Sequence, residues 1–228
     1  MTSLQTAFSA FKRGQFVILH DGKGRENEAD FLLLAEKATP AKVRQLRKDA
    51  GGLICLATDS ATAKRLSLPF ACDMLSNSKF KLLAGMCKKR MAYGDMPAFS
   101  ISINHLKTFT GITDNDRAKT ITEFGKLVKR KGNAREFRKN FRAIGHVFLL
   151  VGRGLENRMG HTELSLELAR QTKTTTAVVL CEMLSDSGKA ASRDEARAYA
   201  KKNNIPFIEK KELVELWQKH KKDPENKK

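Results

Sequence analysis

The sequence predicts an α/β protein of the α+β type, a single domain built on a mixed β-sheet flanked by helices. Three observations predict it. Short apolar runs recur along the chain, as in Phe16–Leu19, Phe31–Ala35, Leu53–Ala57 and Ala177–Cys181. Between them lie stretches whose apolar residues fall at helical spacing. No linker, internal repeat or shift in composition divides the 228 residues.

Leu4, Ala7, Phe8 and Phe11 share one face and predict a helix over 4–13. Phe16-Val17-Ile18-Leu19 reads as a buried strand delivering His20 and Asp21 to its carboxyl end, and Phe31–Ala35 as a second strand. The polar segment between them is therefore a loop aimed by two core strands. Thr39-Pro40 opens the next helix, a capping hydroxyl followed by proline at the first helical position. Asp49-Ala50-Gly51-Gly52 ends it and leads into the strand Leu53–Ala57, with a short helix over Ala61–Leu66. Residues 70–98 show no clear periodicity, contain Gly85, Gly94 and Pro97, and read as a long loop region. Phe99–Asn104 alternates apolar and polar residues, the period of a half-buried strand. After the turn Thr108–Asp116 comes a helix with Ile121, Phe124, Leu127 and Val128 on its inner face. Three pairs complete the pattern: strand His146–Val151 with helix Thr162–Arg170, strand Ala177–Cys181 with helix Asp194–Lys202, and strand Ile205–Ile208 with helix Lys211–Lys219. The domain is expected over residues 1–220, with the charged tail Lys221–Lys228 disordered.

Composition bounds the function classes. A net charge of +18 attracts anions, whether nucleic acid, a membrane surface or a phosphorylated metabolite. The Lys and Arg residues are spread along the chain, however, and two Tyr and one Trp give no basic-aromatic RNA-reading pattern. The reading is against nucleic acid. Cys55, Cys72, Cys87 and Cys181 include no CxxC pair, which argues against structural zinc. With no secretory signal or apolar span, reduced thiols in a cytoplasmic, membrane-free protein are expected. No GxGxxG or Walker loop points to a nucleotide cofactor.

Two polar clusters carry the chemistry. Arg25-Glu26-Asn27-Glu28-Ala29-Asp30 offers a guanidinium and three alternating carboxylates. In an extended segment Glu26, Glu28 and Asp30 project to one side, where they repel unless a cation or a shared proton compensates. Arg158-Met159-Gly160-His161-Thr162-Glu163 sets an imidazole at a predicted helix start, where backbone amides, Arg158 and the Thr162 hydroxyl bind anions. Glu182 closes a core strand and is a candidate proton shuttle. Thr110, in the hydroxyl-rich turn Thr108–Thr113, is a candidate phosphate contact. Taken alone, each has a plainer reading: a solvated acidic loop, a structural histidine, a salt-bridged strand end, an ordinary turn.

The strings RENEAD, GGLIC, KTFTGITDNDRA, GHVF, RMGHTE and CEM, in this order, resemble the 3,4-dihydroxy-2-butanone 4-phosphate synthase family over about residues 5 to 215, closest to its short archaeal form. The resemblance implies conversion of ribulose 5-phosphate to 3,4-dihydroxy-2-butanone 4-phosphate and formate in riboflavin biosynthesis, with Mg²⁺ or Mn²⁺, in a homodimer with active sites near the interface. It assigns Glu26 and His161 to the metal. Arg25, Glu26, Glu28, Asp30, Thr110, Arg158, Met159, Gly160, His161, Thr162 and Glu182 fall to the substrate. Glu182 and His146 are implied to be needed for catalysis, with Asp21 and Cys55 lining the same pocket. Two departures stand out: Gly22-Lys23-Gly24 where the family's loop carries extra acids, and Leu149–Arg153 where many members have proline and an earlier arginine. The competing classes are a nucleic-acid-binding module and another metal-dependent sugar-phosphate enzyme, such as an isomerase or aldolase.

Overall fold

A strand whose residues are all apolar needs cover on both faces. The computed structural model, which describes residues 3–87 and 89–222, supplies it. The elements in order are α1 (Ser3–Lys12), β1 (Val17–His20), β2 (Ala29–Leu34), α2 (Pro40–Gln45), β3 (Cys55–Thr58), α3 (Ser60–Leu66), α4 (Ala71–Ser76), α5 (Lys81–Met86) and β4 (Phe99–His105). They continue with α6 (Asp114–Lys129), α7 (Ala134–Asn140), β5 (Phe141–Val151), α8 (His161–Gln171), β6 (Ala177–Glu182), α9 (Arg193–Lys202), β7 (Phe207–Glu209) and α10 (Lys210–Lys222). The strands form one seven-stranded sheet in the order β4-β5-β3-β6-β2-β1-β7. The β1–β7 and β3–β5 pairs are parallel and the rest antiparallel, so the sheet is mixed, as predicted.

Alternate strand residues feed two cores. Ile18, Phe31, Leu33, Leu56, Leu149 and Val179 meet α2, α3, α6, α7 and α9 on one face. Val17, Leu19, Leu32, Ala57, Val178 and Leu180 meet α1, α8 and α10 on the other. Register gathers the chemistry at one end of the sheet. His20 lies opposite Ala29, Asp30 opposite Glu182, and Cys55 opposite both Leu180 and Phe148. Because side chains alternate, Asp30, Cys55 and Glu182 project with Leu32, Ala57 and Leu180 toward α8.

Several expectations need correction. Residues 70–98 are not one loop but carry α4 and α5, neither of which buries a residue fully, so no apolar stripe marked them. The sequence reading missed α7, whose one buried residue is Phe137 and whose start is capped by Asn133 accepting from the Glu136 N–H. Strand β5 starts at Phe141 rather than His146, because Phe141 and the exposed Arg142 pair with His105 and Asn104 at the end of β4, and the exposed residues 142–144 carry no apolar run. Strand β7 is shorter than expected. The tail expectation fails at Lys221 and Lys222, which end α10, and otherwise concerns residues 223–228, outside the described ones. No described helix is long and apolar enough to cross a membrane.

Candidate active site

The β1–β2 loop is shaped by Asp21. Its buried carboxylate accepts from the Glu28 N–H at 3.0 Å and the Glu26 N–H at 3.3 Å, while its own N–H donates to the Glu28 carbonyl at 3.1 Å. The segment is not simply extended, since Asn27 sits at φ 56°. Glu26 and Asp30 therefore converge on His161, while Glu28 stays half-buried beside them, its carboxyl pushed up by burial and by Glu26.

His161 opens α8 and is buried between two acids. Its Nδ1 lies 3.2 Å from Glu26 Oε2 and its Nε2 3.6 Å from Asp30 Oδ1. Burial alone would lower its pKa, but the Asp30, Glu26 and Asp21 carboxylates prevail and push it up to about 9. Burial pushes Asp30 up to about 7, against the pull of His161. Glu26 goes the other way: burial opposes ionisation, yet hydrogen bonds from His161 and Tyr93 and the charge of Arg25 hold it at about 2. One ligand atom each from Asp21, Glu26 and His161 lie within 4.8 Å of one another.

Beside this cluster two buried guanidiniums meet. Arg25 reaches Glu26 Oε2 at 2.6 Å, and Arg158 reaches Glu163 Oε2 at 2.6 Å. Glu163 also accepts from the Gly160 and Arg153 N–H groups, tying the turn before α8 to its first turn. Gly160 lies between the arginines. A Cβ there would stand 2.6 Å from Arg25 Cζ and 2.7 Å from Arg158 Nη1, so only glycine lets both approach. Across the site Glu182 Oε2 accepts from the Leu53 N–H at 2.8 Å. Gly52 is required for that approach, since its Cβ would stand 2.5 Å from the same oxygen.

Of these groups, Glu26, Asp30, Arg158, His161 and Glu182 line a cavity of about 120 Å³ with Cys55 and Thr162, roofed by Met91, Tyr93 and Pro97. Arg25 and Arg158 share an adjoining, more open groove of about 330 Å³ with Tyr93 and Asp95. A larger groove, about 520 Å³, opens at the far end of the sheet, among Lys12, Arg65, Lys131, Lys173 and Thr174. It gathers no imidazole, and its acids are spent: Glu36 on Lys129 and Thr175, Asp59 on capping α3. Size does not identify the site here.

Most sequence-predicted residues meet in the small cavity or on its rim. Burial pushes the Cys55 thiol well up, which makes it a neutral wall. Met159 packs against the α8-side core. His146 and Thr110 do not line the cavity. The His146 Nδ1 lies 3.1 Å from Asn104 Nδ2, and that amide donates to the Thr110 carbonyl at 3.3 Å, forming a separate exposed cluster. The sequence reading placed Glu163 in the second cluster but gave it no role, although Gly160-x-x-Glu163 has capping spacing. It also missed Tyr93 and Asp95, which reach the site from an aperiodic stretch.

The model of one family, 3,4-dihydroxy-2-butanone 4-phosphate synthase, matches residues 5–216. The protein of that name from Methanosarcina mazei is 39% identical over 224 residues, covering 94% of this chain and 91% of its own. A solved 3,4-dihydroxy-2-butanone 4-phosphate synthase in complex with two magnesium ions superposes with a TM-score of 0.78 at 25% identity, covering 100% of both chains. A two-domain synthase from A. baumannii shares the fold, with a TM-score of 0.78 at 24% identity, and this chain spans 59% of its length. On the extent of these matches, the chain belongs to the 3,4-dihydroxy-2-butanone 4-phosphate synthase family.

Proposed function

We propose that the protein is a carbon–carbon lyase that converts D-ribulose 5-phosphate to L-3,4-dihydroxy-2-butanone 4-phosphate and formate, in riboflavin biosynthesis and in the cytoplasm. One observation carries the reading: in a member of this family, an acid–imidazole cluster lines a cavity with the buried Arg158, and the buried Arg25 stands at its edge, paired with Glu26.

The donor set fits a divalent cation. Buried His161 Nε2 and Asp30 Oδ1 have no hydrogen-bond partner, and the carboxylates of Asp21 and Glu26 crowd the same imidazole. Carboxylate oxygen with one imidazole suits Mn²⁺ and is compatible with Mg²⁺. A relative binds two magnesium ions, which supports Glu26 and His161 as ligands. Such an ion supplies Lewis-acid polarisation of the sugar carbonyl.

The chain's own groups do the rest. Arg25, Arg158, the Thr162 hydroxyl and the first amides of α8 hold the phosphate and fix the sugar's orientation. Glu182, whose carboxylate is held by the Leu53 N–H, moves protons at the reacting carbons. Asp21 holds the loop that carries Glu26, and its carboxylate faces the same protons as a second acid–base group. Cys55 and the roof residues exclude water.

The exposed cluster supports a homodimer. Around His146 and Thr110 stand Phe109, 93% exposed, and Ile144, 86% exposed, with Leu106 and Ile112 half bare. A second copy on this face would cover that apolar surface and bring His146 and Thr110 to an active site near the interface.

The decisive assay incubates the protein with ribulose 5-phosphate and Mg²⁺ and follows formate. Formate should appear, stop with EDTA, and be absent for H161A. Turnover without formate would identify an isomerase. Formate that survives EDTA would sink the metal assignment.

A further inference from the structure

Asp95 lies on the segment between α5 and β4, the only acid between Asp73 and Asp114. Its Oδ2 stands between the two buried arginines, 3.1 Å from Arg25 Nε and 3.5 Å from Arg158 Nε. The same segment lays the Tyr93 ring over Arg25, 4.7 Å from its Cζ, and hydrogen-bonds the Tyr93 hydroxyl to Glu26. Asp95 is a third exposed, whereas the arginine side chains are 7% and 8% exposed, so its carboxylate reaches into the site from the surface. Every other acid on these arginines comes from the rigid frame: Asp21 and Glu26 on the β1–β2 loop, Glu163 on α8.

Asp95 meets the need of the arginines only in part. Arg25 Nη1 and Nη2 and Arg158 Nε are buried without a well-directed hydrogen bond. One carboxylate oxygen shared between two guanidiniums leaves donors over, whereas a phosphate ester brings three oxygens and nearly two charges. Arg25, Arg158, Tyr93 and Asp95 line one open groove of about 330 Å³, so the Asp95 carboxylate stands where a phosphate would enter to reach the arginines.

We propose that Asp95 is a tethered competitor for the phosphate grip, a carboxylate that the ligand's phosphate must displace. The inference rests on Arg25 and Arg158 as the phosphate site. A dianionic phosphate outcompetes the single carboxylate most readily, and weaker anions leave the latch in place at the same concentration. Apparent affinity falls by the fraction of molecules that are latched.

The test uses inorganic phosphate as the probe, with binding measured by calorimetry at physiological ionic strength on wild type, D95N and D95S. Removing the carboxylate should tighten phosphate binding about fivefold to tenfold. Acetate binding should tighten by a similar factor, as expected when a shared competitor is removed. With ribulose 5-phosphate, the change should fall on KM rather than kcat. Unchanged or weaker phosphate binding in both variants would overturn the proposal, as would failure of phosphate to bind any of the three proteins. Phosphate binding that tightens in D95N while wild type releases no formate would sustain the latch and defeat the assigned reaction.

Discussion

Two histidines of this chain sit in opposite surroundings. His161 is buried at the start of α8, pressed between Glu26 and Asp30, with arginines and further acids within reach. His146 is exposed on β5 and held by Asn104, two residues after the exposed Ile144. The first region is assembled by one chain and stores charge that calls for a cation. The second is a surface that calls for a cover. The same side chain therefore carries different kinds of information: buried among acids, it marks an internal site, and exposed beside bare apolar side chains, it marks the surface on which the proposed homodimer rests.

Breaking the buried region should have the largest effect. E26A or H161A should abolish formate release, as the loss of a metal ligand removes polarisation of the reacting carbonyl. H146A should come next, cutting kcat on the order of a hundredfold while the thermal midpoint stays near wild type, because the residue is exposed. Equal destabilisation by H146A and H161A would erase the distinction between the regions. R158A should cost stability, about 3–5 kcal/mol in urea unfolding, because the buried Glu163 carboxylate loses its charge partner. A loss below about 1 kcal/mol would show the pair to be solvent-screened.

The smallest effect is a pH dependence. His161 titrates at about 9 in the folded chain, above its ordinary 6.5, so its protonated form stabilises the metal-free protein. That contribution is complete below pH 6.5 and lost as pH rises through about 9. Asp30, raised to about 7 by burial, works in the same direction between its ordinary 3.8 and 7. The metal-free thermal midpoint should fall from pH 6.5 to 9. A divalent ion takes His161 unprotonated, so its added stabilisation should grow over the same range. A metal-free midpoint that rises with pH would contradict the acid–imidazole pairing.

Much of the fold was legible in the sequence because a sheet covered on both faces turns its strands into uninterrupted apolar runs. Elements that bury little left no such mark, as α4, α5 and α7 show. Of the site, the two polar clusters were legible because acid is scarce in a +18 chain and stands at strand and helix ends. Their pairing was not, since Asp30 meets Glu182 through strand register and His161 meets Glu26 across 135 residues. Asp95 gave no signal at all. One carboxylate in an aperiodic segment means nothing until the chain around it is folded onto two arginines.

The most direct test of the buried cluster is Mn²⁺ titration followed by electron paramagnetic resonance, on wild type and H161A without substrate. Wild type should take up the ion, with Mg²⁺ displacing it and binding tightening as pH rises, while H161A should leave it free. Equal uptake by H161A, or none by wild type, would contradict the account.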